Sequence, residues 1–230
     1  MTPRISRFLL PVTALGILLL AAGCEHPKTN AAVSSSSDLT TKLNALDAKR
    51  QNYETSLKAM NTARLAQELS SDSQKGKEPF NSPAYREAIS RGSAQAAELK
   101  SQLTQADRTS LLTLLALRKV DPNLYHSLDP TFRVNVLVDA LKNSKFFNTW
   151  GLPNLFWEDA SKAILDEGQA ATVPLEALLR DKRPAVNWGP AGAAIGKHYR
   201  YRVCDYAWAL LHPQTKIPPD PAERDHLIGL

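Results

Sequence analysis

The sequence predicts an all-α protein, and three observations carry that expectation. Leucine and alanine are abundant, glycines number only ten, and β-branched runs are few, a balance that favours helix over sheet. Leucines recur at alternating spacings of four and three, the period of one helix face. Apolar segments open on Ser-Pro or Asp-Pro, with the first residue placed to cap and the proline at the favoured first helical position. The predicted order is an amphipathic N-terminal helix followed by a domain of stacked helices.

Residues 1–23 stand apart from that domain. Arg4 and Arg7 precede the apolar run "FLLPVTALGILLL", which ends in Ala21, Ala22 and Gly23. A basic start, an apolar run and small residues at a cut site describe a secretory signal. Spanning a bilayer takes about 20 apolar residues, and Pro11 interrupts this shorter run. The stretch Leu20-Ala21-Ala22-Gly23-Cys24 resembles the lipobox of bacterial lipoproteins, although Ala21 stands where that family most often has leucine. The resemblance implies that Cys24 carries the lipid (diacylglycerol on the thiol, with palmitate-type acylation of the new amino group). It also implies a membrane anchored without a spanning helix, since two or more acyl chains hold a protein stably. In Gram-negative members an aspartate after the cysteine favours inner-membrane retention; Glu25 stands here, which points to the outer membrane facing the periplasm.

Residues 24–37, "CEHPKTNAAVSSSS", form a polar, serine-rich tether. Residues 38–104 are predicted helical and coiled-coil-like. Asp38 caps a helix on which Leu39, Leu43, Leu46, Tyr53, Leu57 and Met60 make a heptad stripe, with Arg50 at one seam position. That stripe is expected to pack on its own domain, with self-association as the alternative. A break follows over Ser70–Pro83, then a helix capped by Ser82.

Residues 105–212 are expected to form the main helical domain. Leu111–Leu117 reads as a buried helix ended by Asp121-Pro122, and Asp129-Pro130 starts the next. A further helix is expected from Leu152-Pro153 to a stop at Gly168. "EGQAATVPLEALLRDKRPA" and "YRYRVCDYAWALL" resemble the helices of HEAT-type repeats, which implies stacked helical pairs presenting a concave face to proteins or peptides. Residues 213–230 carry four prolines and are expected to be an extended tail.

Charge narrows the function. Two of the 28 basic residues fall in the signal, leaving 26 against 23 acidic, too mild a surplus for a nucleic-acid binder. Gly189–His198 lacks the first glycine and the hydroxyl of a phosphate loop. The five histidines contain no pair at helical spacing, so neither a metal nor a cofactor is expected. Cys204 falls among Tyr201, Trp208 and Leu211 on one apolar stripe, where a thiol is inert. The aromatics Phe146, Phe147, Trp150, Phe156 and Trp157 suit either a core or a sugar- or peptide-stacking groove.

Arg180, Arg183, Arg200 and Arg202, near Asp181 and Asp205, form the densest charge group, which suits helix capping between repeats or, as the alternative, an acidic partner. The candidate partner-binding residues are Arg183, Arg200, Arg202, Trp150 and Trp188. The expectation is a non-enzymatic, membrane-anchored envelope lipoprotein acting as a protein-binding or scaffold module. An envelope enzyme acting on peptidoglycan or lipid, and a self-associating structural lipoprotein, are the alternatives.

Overall fold

The computed structural model describes residues 36–144, 147–185 and 200–230. Cys24 and Trp188 lie outside the described residues, as do Gly189–His198. The chain divides into two units, Met1–Leu43 and Asn44–Leu230. The described part of the first is the opening turns of α1 (Ser36–Ala59), where Lys42 pairs with Asp38 at 2.9 Å and Leu39 and Leu43 are exposed.

The described residues of the second unit are mostly helical, with one small two-stranded hairpin. Helices α2 (Thr62–Gln74), α3 (Pro83–Ser90), α4 (Ala96–Ser101), α5 (Leu111–Val120), α6 (Pro122–His126) and α7 (Pro130–Lys142) follow in order. Their starts are the predicted ones because each cap is a local bond. The Ser82 hydroxyl accepts from Tyr85 N–H, Asp121 from Leu124 N–H, and Asp129 from Thr131 N–H. Helix α5 is the centre of the core, with every residue from Leu111 to Leu117 buried. It contacts α2, α3, α4, α6 and α7, so it has no polar face to solvent over that stretch.

The α1 stripe covers the core only at one end. Leu57 is buried and Tyr53 and Met60 are partly buried, but Leu39, Leu43 and Leu46 stand 52%, 62% and 62% exposed. Packing of the whole stripe on its own domain is therefore corrected to packing of its C-terminal end. That end is pinned by Arg91, whose guanidinium donates to the carbonyls of Leu57 at 2.7 Å and Met60 at 2.9 Å.

A second correction falls after Trp150. The helix expected from Leu152 starts only at Asp159, forming α9 (Asp159–Glu167). Between α8 (Phe147–Trp150) and α9, strands β1 (Gly151–Leu152) and β2 (Phe156–Trp157) pair antiparallel, Gly151 opposite Trp157 and Leu152 opposite Phe156. The backbone turns because Gly151 and Asn154 take φ of 80° and 71°, a region that glycine and asparagine tolerate. A Cβ on Gly151 would press on the Phe156 carbonyl and sit 2.8 Å from Glu158 N. Gly168, φ 53°, stops α9 as expected.

After α10 (Thr172–Glu176), helices Val203–Leu211 and Pro221–Ile228 close the fold. The last one corrects the expected extended tail. Pro213, Pro218 and Pro219 precede the helix and Pro221 occupies its first turn, so no proline interrupts it. Asp220 caps it, accepting from Ala222 and Glu223 N–H, and the helix buries Arg224 completely. Among the described residues no helix is long and apolar enough to cross a membrane.

Candidate functional site

The predicted arginine group resolves into an internal ion cluster. Arg202 pairs with Asp205 at 2.9 Å and with Asp225 at 2.6 Å, while Arg224 reaches Asp205 at 3.0 Å. Asp205 also accepts from Arg202 N–H at 2.7 Å, which closes the first turn of the Val203–Leu211 helix. Arg202 side-chain hydrogen bonds lower the Asp225 carboxyl below its usual range. Arg183 grips Asp181 through two of its guanidinium nitrogens and remains exposed. Arg200 is exposed at a φ of 44°. Of these three, Arg202 serves the fold; Arg183 and Arg200 keep a solvent-facing side chain.

The predicted aromatics also divide. Trp150 is 1% exposed and belongs to the core, so a partner could not reach it without unfolding. Burial likewise raises the Cys204 thiol from its ordinary 9.0 to about 11, fitting a packed, unreactive cysteine. Phe156 and Trp157, by contrast, line a surface cleft of about 250 Å³ together with Asn154, Leu155 and the segment Pro213–Lys216. Leu155 at the turn is 59% exposed and Phe156 43%.

That cleft is held by bonds from three directions. The Tyr206 hydroxyl donates to the Gly151 carbonyl at 2.8 Å, and its ring meets Trp157 edge-on at 6.5 Å. The Tyr201 hydroxyl donates to the Pro153 carbonyl at 3.3 Å. Burial lifts the Tyr206 hydroxyl well above its usual range, so it stays a donor at any physiological pH. Asn154 then uses its side-chain amide as if it were a strand's peptide group: it accepts from Ile217 N–H at 2.9 Å and donates to Ile217 C=O at 2.6 Å. Ile217 is buried, so the far wall of the cleft is anchored to the core.

The arrangement offers two exposed apolar side chains on a fixed backbone, in a cleft also lined by Gln214, Thr215 and Lys216. Apolar anchors with a few polar groups at the edge are the make-up of a protein or peptide contact. A wider depression between Glu176, Arg180 and Ile228–Leu230 has no aromatic wall. Among the described residues no three His, Cys, Asp or Glu side chains group as metal ligands.

Asn154, Leu155 and Gln214–Lys216 were not singled out from the sequence. "GLPNLFW" carried the signal: Pro-Asn marks a turn, and Phe-Trp after it favours a strand. Compared with family models, curated proteins and solved structures, the chain matches none. The cleft's role rests on its own geometry.

Proposed function

We propose that this chain is a membrane-anchored envelope lipoprotein acting as a helical protein-binding or scaffold module, with the hairpin cleft as its docking point. The observation that carries the reading is the pair Leu155 and Phe156, exposed on a backbone that Gly151, Asn154, Tyr201 and Tyr206 lock in place. A partner that docks there meets a surface already ordered, so little conformational entropy is lost on binding. Contact between α10 and the Val203–Leu211 helix supports a HEAT-like pairing in this part of the chain. The lipobox-like stretch and Cys24 supply the anchor, and the serine-rich tether the reach.

The test is capture from solubilised envelopes with the full chain and with a Leu155→Ser/Phe156→Ser double variant. A defined partner should be enriched by the parent and lost with the variant, while helical content stays the same. Equal recovery by both chains overturns the cleft as docking point. Separately, Cys24→Ser should abolish labelling by palmitate; a parent chain that takes up no label removes the anchor from the reading.

A further inference from the structure

The first half of α1 leaves an apolar face exposed among the described residues, and its charges name the occupant. In heptad terms Leu39, Leu46 and Tyr53 hold one seam position and Leu43, Arg50 and Leu57 the other. Leu39, Leu43 and Leu46 are the exposed part of that seam, and every residue from Ser37 to Asn52 is exposed around it. The residues flanking the seam are sorted by sign. One flank has Lys42 and Lys49, the other Asp47 and Glu54.

We propose that the Leu39–Arg50 face of α1 pairs with the same face of a second copy, parallel and in register. In that orientation Lys42 lies across from Asp47 of the second copy and Lys49 across from Glu54, an attractive pair on each side of the seam. Turning one helix round would set lysine against lysine and acid against acid. The resident contacts are replaceable. Lys42–Asp38 and Arg50–Asp47 are intrahelical surface pairs at 2.9 and 3.4 Å, and most of their side-chain surface is open. Glu54 also pairs with Arg86 at 3.2 Å, which makes Lys42–Asp47 the cleaner contact.

Arg50 sets the limit of the seam. It faces its own copy in a parallel pair, and its long stem lets the guanidinium lean out to Asp47. A charge at a seam position disfavours larger closed bundles, in which it could not reach solvent. Beyond Arg50 the seam residues Tyr53 and Leu57 belong to the chain's own core. Three leucines per chain fall short of the roughly 1,200 Å² that a stable soluble dimer buries, so the pairing is weak in dilute solution and strengthens with local concentration. A parallel pair puts both N-termini at one end, which suits two copies tethered to one surface. The pairing itself does not depend on the hairpin cleft or on the lipid.

Cysteine cross-linking of the full chain in membranes tests it. Leu39→Cys and Leu46→Cys are made singly, with Ala48→Cys on the opposite side of the helix as control; the parent sets the background from its own thiols. Positions 39 and 46 lie about 10 Å apart along the helix, so both can meet their own copy only in a parallel, in-register pair. The expected result is a disulfide-linked dimer from both variants and none above background from Ala48→Cys. A dimer from only one of the two means antiparallel crossing and overturns the proposal. So does a dimer from neither, or equal yield at Ala48. In the Leu46→Cys chain, Lys42→Glu should lower the dimer yield about five- to tenfold, and adding Asp47→Lys should restore it, as reversible ion pairs require. No loss with Lys42→Glu overturns the orientation.

Discussion

Two buried arginines, Arg133 on α7 and Arg224 on the Pro221–Ile228 helix, solve the same problem in different ways. Each lies over a tyrosine ring, Tyr125 at 5.1 Å and Tyr201 at 4.9 Å, and each meets one buried carboxylate. Arg133 grips Glu167 with two nitrogens, both at 2.7 Å, and its remaining nitrogen donates to the carbonyls of His126 and Leu128 past the end of α6. Tyr125 adds a hydroxyl bond to the same Glu167 at 2.7 Å. One of the three guanidinium nitrogens is therefore solvated by peptide dipoles. Arg224 instead shares Asp205 with Arg202, which also pairs with Asp225. The lesson concerns dependence: backbone carbonyls spread the stabilisation of a buried charge, whereas a shared carboxylate ties two arginines to the same side chain.

The largest effect should come from Asp205→Asn. It leaves two arginines without their common counter-charge and removes the carboxylate that closes the Val203–Leu211 helix, so a loss of about 3–5 kcal/mol is expected in urea unfolding. Glu167→Gln should cost less, about 1.5–3 kcal/mol, because the carbonyls at the end of α6 still hold Arg133. Reversal of that order would break the comparison. Arg224→Met is smaller again, about 1–2 kcal/mol, since Asp205 keeps Arg202 and the methionine keeps part of the packing. Its signature is local: amide exchange should rise over Pro221–Ile228 and leave α5 protected.

The mildest probe is alkaline pH. The Cys204 thiol, beside this cluster, keeps its proton in the folded chain to about 11, whereas the free thiol titrates at 9.0. The unfolded chain therefore deprotonates first. This contribution to stability is whole below pH 9.0 and declines as pH rises towards about 11. Urea midpoints measured across that window should fall, and Cys204→Ala should flatten the slope. A slope unchanged by the substitution assigns the fall to the raised tyrosines, among them Tyr53 at about 12.

The parts legible in the sequence are those fixed by near neighbours. Ser82, Asp121 and Asp129 cap helices through their own following amides, so a few residues decide the outcome. Asp220-Pro221 is the same signal, outweighed in reading by the prolines before it. The hairpin was opaque because two-residue strands carry no period. For the candidate site, the aromatic run was visible, but which rings reach the surface depends on partners far along the chain. Tyr206 meets Gly151 across 55 residues, and nothing local separates buried Trp150 from exposed Phe156. The ion cluster around Arg202 is equally hidden from local reading, since Asp225 and Arg224 arrive from the final helix.

The amide clamp between Asn154 and Ile217 has a consequence for the order of assembly. Its two halves lie 63 residues apart, and the segment that forms the far wall of the cleft emerges from synthesis well after the hairpin. A nascent or truncated chain that stops before Ile217 can form α5 and its neighbours, whose contacts are earlier in sequence, but has no cleft to offer. The cleft thus forms only once Ile217 has been made, and a chain that stops before it carries a hairpin lacking its opposite wall.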